Sequence, residues 1–151
     1  MSGFKVKFNV PLAKRAEKAA QTAAKVVFSE MNGRFQVAIG RKVWSWPRET
    51  VRSNGRPVGS PRTIVDTGLL RQSNVFGVSN YTAVFRWTTN YASFVHEGAM
   101  VYPYGDTSRP RVYTPPRPWT SAVLGTEKVN GIEPYDYRKR FKEVWLKAMN
   151  I

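Results

Sequence analysis

Two short stretches of the chain hold residue types that could do chemistry. Asp66-Thr67-Gly68 sets a carboxylate on a turn that glycine can make, and two such carboxylates brought together could share a proton and activate water. His96-Glu97 offers an imidazole next to a carboxylate, the elements of an acid/base pair. Neither constellation is complete. One aspartate needs a second, neighbours along a chain rarely point at one another, and no nucleophile or second histidine stands in a pattern that would finish the His96 site. Zero cysteines remove disulfides, thiolate metal sites and a cysteine nucleophile, and a single histidine leaves any zinc site to scattered carboxylates. Catalysis, a cofactor and a metal are therefore not expected. Read structurally, Asp66 accepts backbone hydrogen bonds at a corner, Thr67 supports it, and Gly68 supplies the backbone angle. Leu69 and Leu70 then drop into the core while Arg71 and Ser73 emerge.

The elements that must position these residues are legible from periodicity. Phe4, Val6 and Phe8 alternate with Lys5 and Lys7 as a short strand. Residues 11–31 show apolar side chains at Leu12, Ala16, Ala19, Ala20, Ala23, Val27 and Met31, helical spacing, with Asn32-Gly33 as its stop. Phe35, Val37 and Ile39 alternate in a strand that continues toward Trp44 and Trp46. Residues 75–78 and 81–88 read as a hairpin turning at Ser79-Asn80, with Tyr81, Ala83, Phe85 and Trp87 on one face. Residues 91–97 form a short helix or turn closing at Gly98, and Pro118 opens a helix over residues 119–124. Asp136 caps a C-terminal helix, within residues 135–149, whose stripe is Tyr137, Phe141, Val144 or Trp145, and Ala148. The expected fold class is α+β: a long N-terminal helix packed on a mainly antiparallel sheet of about four or five strands, with short C-terminal helices. One domain is expected over residues 1–151.

Charge is high and unevenly placed. The net value is +14, and residues 1–62 carry 13 Lys/Arg against 3 Asp/Glu, residues 63–107 carry 2 against 3, and residues 108–151 carry 9 against 4. Such a balance favours an acidic partner, nucleic acid or protein. No apolar run is long enough to span a bilayer, so no membrane partner is expected. Residues 41–62 combine Pro47, Pro57, Pro61, Gly55 and Gly59 with Arg48, Arg52, Arg56 and Arg62, a composition that predicts an irregular, extended basic arm. Trp44 and Trp46, two apart on a strand, would share a side, and an indole pair beside arginines suits a partner interface or stacking on single-stranded nucleic acid. The partner surface is expected at Trp44, Trp46, Arg48, Arg52 and Arg56, with a second basic face at Arg138, Arg140 and Lys142.

Three segments taken in order carry a resemblance. Asp66-Thr67-Gly68-Leu69-Leu70-Arg71-Gln72-Ser73, then Tyr91-Ala92-Ser93-Phe94-Val95-His96-Glu97-Gly98, then Pro115-Pro116-Arg117-Pro118-Trp119 resemble the tail-completion (tail-terminator, neck) proteins of long-tailed phages. In that family an Asp-Thr-Gly-x-Leu-Arg-x-Ser segment precedes Tyr-Ala-x-x-Val-Glu-x-Gly-Thr and a Pro-aromatic helix start. The matching positions are Asp66, Thr67, Gly68, Leu70, Arg71, Ser73, Tyr91, Ala92, Glu97, Gly98, Pro118 and Trp119. Here the acid stands next to the glycine and the threonine is missing, so Glu97 could instead pair with Arg71 or Arg117. The resemblance implies a virion structural protein, assembled in the host cytoplasm. It would form a homo-oligomeric ring, hexameric by family habit, that caps the tail tube and docks the head-closure or connector protein, with non-specific contact to DNA in transit. Two other classes stand beside it. A basic nucleic-acid-binding module fits the charge. Asp66-Thr67-Gly68, led by Ile64-Val65, also resembles the retroviral-type aspartic proteases, but Leu69-Leu70-Arg71 and a long alanine helix do not belong there.

Overall fold

The computed structural model describes residues 10–151, so the strand expected at residues 4–8 lies outside the described residues. Its backbone element is α1 (Val10–Gly40), 31 residues and roughly 46 Å long at 1.5 Å per residue. The stop expected at Asn32-Gly33 does not occur. Ala19, Ala23, Ala24, Val27, Met31, Phe35, Ala38 and Ile39 are all buried, and their steps of three and four run unbroken past Gly33. A mid-helix glycine costs about 1 kcal/mol relative to alanine, whereas burying Phe35 and Ile39 contributes about 2 kcal/mol each. Packing wins, and the strand expected through Phe35, Val37 and Ile39 is instead the end of α1, with Val37 on its exposed face.

Among the described residues six strands pair as three separate antiparallel hairpins: β1 (Thr50–Val51) with β2 (Pro57–Val58), β3 (Asn74–Ser79) with β4 (Thr82–Trp87), and β5 (Ala99–Val101) with β6 (Val112–Thr114). The mixed helix-and-sheet class stands, but the single sheet of four or five strands is not formed among the described residues. The reason is length: two- and three-residue strands offer too short a ladder to recruit neighbours. Only β3–β4 is a full hairpin, paired from Asn74↔Trp87 to Ser79↔Thr82. Its turn falls on Asn80-Tyr81, one residue later than expected, where Asn80 takes a left-handed φ of 51°. Its inner face lies on α1: the Phe85 ring meets Phe35 edge-on at 5.1 Å, Trp87 meets Phe35 at 6.0 Å, and Phe76 stacks on Phe85 at 5.3 Å.

Short helices complete the frame: α2 (Leu69–Gln72), α3 (Ala92–Glu97), α4 (Trp119–Leu124) and α5 (Tyr137–Met149). Asp136 caps α5 by accepting from the Lys139 N–H at 3.0 Å. α5 runs antiparallel along α1, because Arg140 reaches Glu30, the Trp145 indole N–H donates to the Ala16 carbonyl, and Arg15 donates to the Met149 carbonyl. The α5 stripe ends on buried Met149; Ala148 is exposed. Trp119, Ala122 and Val123 of α4 bury into the same core as Val27, Phe35 and Ile39.

Residues 41–62 are not an extended arm. Trp44 is 3% exposed, its indole donates to the Ala38 carbonyl at 2.9 Å, and its backbone pairs with Arg62 in an isolated bridge. The Arg62 guanidinium is itself buried and donates to the carbonyls of Gly59, Arg48 and Val58 and to the Thr50 hydroxyl. The prolines and glycines that suggested an extended arm leave carbonyls free of ladder bonds, and one arginine gathers them.

Candidate functional site: a cavity where the three motif segments meet

The corner at Asp66 is built differently from expectation. Its carboxylate accepts from the Ser53 backbone N–H at 3.2 Å and from the Ser53 hydroxyl, so it ties the corner to the β1–β2 loop. Thr67 accepts weakly from the Leu69 N–H at 3.4 Å. Gly68 stands at φ 86° and starts α2. Leu70 is buried, but Leu69 is 55% exposed, a correction to the expectation that both enter the core. A four-residue helix turns successive side chains about 100° apart, so the pair cannot share one direction. Ser73 caps the end of α2 through its hydroxyl on the Leu70 carbonyl at 2.8 Å.

The second segment closes on Gly98, whose φ of 77° and surroundings both demand glycine. A Cβ there would lie 2.8 Å from the Pro116 nitrogen and 2.9 Å from the Thr114 carbonyl oxygen. This contact, together with the Arg117 N–H donating to the Val95 carbonyl at 3.0 Å, locks the third segment onto the second. Pro118 precedes α4, and Trp119 drops into the core beneath it.

All three segments line one cavity of about 380 Å³. Its apolar wall comes from Ile39, Ile64, Leu70 and Val95; Tyr91 and Arg71 line it as exposed residues, and Arg117 brings charge. Arg117 is the uncommon group. It lies over the Trp46 ring, 4.4 Å from guanidinium carbon to centroid, and Arg62 lies over the same ring at 4.8 Å. Burial, and then repulsion from Arg62 and Arg52, lower its pKa to about 10. Its Nε is buried without a hydrogen-bond partner. Among the described residues no carboxylate pairs with Arg117, Arg71, Arg62 or Arg52. Arg52 is held by the Val65 and Thr63 carbonyls.

His96 and Glu97 do face one another, contrary to expectation. His96 Nδ1 lies 2.5 Å from a Glu97 oxygen, and Nε2 lies 2.7 Å from the Thr120 hydroxyl. Glu97 therefore pairs with neither Arg71 nor Arg117. A hydroxyl, an imidazole and a carboxylate in series have the order of a nucleophile, base and orienting group. The carboxylate side chain is 74% exposed, however, whereas that chemistry relies on a buried orienting acid. The His96 ring stands edge-on to Trp119 at 4.7 Å, and the three groups clip α3 to α4.

The expected partner surfaces separate. Trp44 is core, and Trp46 is partly buried beneath two guanidiniums, so they form no shared indole face. Arg52 is spent on carbonyls, while Arg48 and Arg56 are exposed. On α5, Arg138 and Lys142 are exposed, but Arg140 is ion-paired with Glu30 on α1. Sequence reasoning passed over Arg117 except as a possible mate for Glu97; its place between Pro116 and Pro118, where the backbone is stiff, was the available signal. Thr120 and Glu30 carried no signal. Among the described residues no cluster of three or more His, Asp or Glu could hold a metal, and no helix is long and apolar enough to cross a membrane. Comparison with protein-family models, with curated proteins and with solved structures finds no match for this chain.

Proposed function

We propose that this chain is a structural protein of a long-tailed phage virion, located in the neck as a closed ring that caps the tail tube and joins it to the head connector. The observation that carries the reading is the state of β3–β4. This hairpin has six residues per strand, and neither outer edge is paired among the described residues. Its outer face presents Val75 and Val84, each about half exposed. Open ladders and apolar outer faces are a liability for a monomer, and ring closure satisfies both without an open filament. The four- or five-stranded sheet that the sequence suggested is reached in this reading by pairing between subunits. Convergence of the three segments on one cavity is the second support, since Asp66, Thr67, Gly68, Leu70, Arg71 and Tyr91 of the matching positions line it and Arg117 of the third segment joins them. The +14 charge suits an acidic connector surface and transient contact with DNA in transit.

Assembly tests the proposal. Light scattering and native mass spectrometry of the chain, alone and with tail tubes, should give a closed oligomer, hexameric by the family resemblance. The double variant Val75→Glu with Val84→Glu should remain folded and fail to close. A wild-type chain that stays monomeric with and without tubes would sink the reading.

A further inference from the structure

The cavity between the three segments has an unmet electrostatic requirement. Arg117 lines it with a mostly buried, charged guanidinium that no carboxylate pairs among the described residues, and Arg62 and Arg52 add like charge nearby. The one carboxylate on the lining among the described residues, Asp66, is engaged by Ser53. A buried unpaired charge is unfavourable, and a guanidinium is built to meet a planar carboxylate with two parallel N–H bonds. We infer that this cavity is a socket for a carboxylate on a short apolar stem, a glutamate or aspartate side chain presented by an acidic segment of a partner protein. Arg117 meets the carboxylate, Arg71 approaches it from the exposed side, and Ile39, Ile64, Leu70 and Val95 take the stem.

The walls choose between anions. A phosphodiester continues through a sugar on both sides, so seating it on Arg117 brings polar sugars against Ile39, Ile64, Leu70 and Val95, whereas a carboxylate that ends a side chain brings only its apolar stem. The chain itself, with 24 basic and 10 acidic residues, is better matched by an acidic partner than by a second copy. The socket is independent of the ring reading, because it exists within one subunit.

The test uses the full 151-residue chain and a neutral-backbone peptide with one central glutamate and capped ends. Binding is read by calorimetry, with the same peptide carrying glutamine as reference. Wild type should bind the glutamate peptide and prefer it over the glutamine peptide by about tenfold, the scale of one charge-assisted pair. Arg117→Met should abolish that preference and remain folded, since it keeps an apolar stem against Trp46 and removes the charge. Arg117→Lys, which keeps charge without the fork, should retain part of the preference and serves if the methionine variant does not fold. Lys128→Ala, an exposed charge in the loop after α4, should leave binding within about twofold, excluding general attraction to a basic protein. Equal binding of the two peptides, or equal loss in Arg117→Met and Lys128→Ala, would overturn the socket. Single-stranded oligonucleotide or inorganic phosphate that binds more tightly than the peptide, with Arg117-dependent affinity, would overturn the assignment to a protein carboxylate.

Discussion

Arg140 holds Glu30 with two nitrogens, Nε at 3.1 Å from both carboxylate oxygens and Nη2 at 2.8 Å from one, across 110 positions of sequence. The same carboxylate accepts from the buried Tyr135 hydroxyl at 2.6 Å. One acid thus anchors α5 to α1, and an arginine that the sequence suggested for a partner belongs to the fold.

Acid should loosen this anchor. The Arg140 hydrogen bonds, then the Tyr135 hydrogen bond, hold the Glu30 carboxyl below its ordinary value of 4.5. A carboxyl depressed on folding adds stability that is fully present above the unfolded value and is lost as pH falls through the folded one. Glu30→Gln should therefore lower the melting temperature at pH 7 and flatten its fall below about pH 4.5, as read by circular dichroism melts across pH. An unchanged pH profile would show that Glu30 does not anchor α5 to α1. Exposure of both side chains, 41% for Arg140 and 36% for Glu30, keeps the expected effect small.

Trp44 should behave as core. It is buried against α1 with its indole bonded to Ala38, so Trp44→Ala should cost about 3 to 5 kcal/mol in chemical denaturation. A variant with wild-type stability that fails only in assembly would return Trp44 to the interface.

Two glycines should respond in opposite directions to alanine. Gly98→Ala forces a Cβ into the Pro116 and Thr114 backbone at a positive φ and should cost at least about 1 to 3 kcal/mol. Gly33→Ala, mid-helix with open space around it, should stabilise by about 0.5 to 1 kcal/mol. Paired thermal melts decide both signs.

Asp66→Asn should weaken the corner by no more than about 1 kcal/mol, because the carboxylate is exposed and bonds only Ser53 among the described residues. Peptide cleavage by the wild-type chain that disappears in this variant would reinstate the protease reading. Thr120→Val offers the parallel check on the Thr120, His96 and Glu97 series: ester hydrolysis should be absent in both wild type and variant.

What could be read from sequence follows from the range of the interactions involved. The β3–β4 face, the helix over Trp119–Leu124 and the Asp136 cap depend on residues a few positions apart, and all three are found. Alternation at Phe35, Val37 and Ile39 was ambiguous locally; Phe85 and Trp87, some fifty residues on, decide for helix by packing on Phe35. Arg62 looked like one arginine of a solvated arm because its carbonyl partners become neighbours only once β1 and β2 pair. Candidate site residues were found as three strings, and their meeting around Arg117 is a tertiary fact that no string contains.

The proposed place of this chain is the neck of a phage particle, and electron microscopy of particles labelled on the chain decides it. A gold-tagged copy should mark a single ring between head and tail, at the head-proximal end of the tail tube, and particles lacking the chain should separate into unjoined heads and tails. Label along the tail shaft, label on the capsid, or normally joined particles without the chain would rule out a neck position.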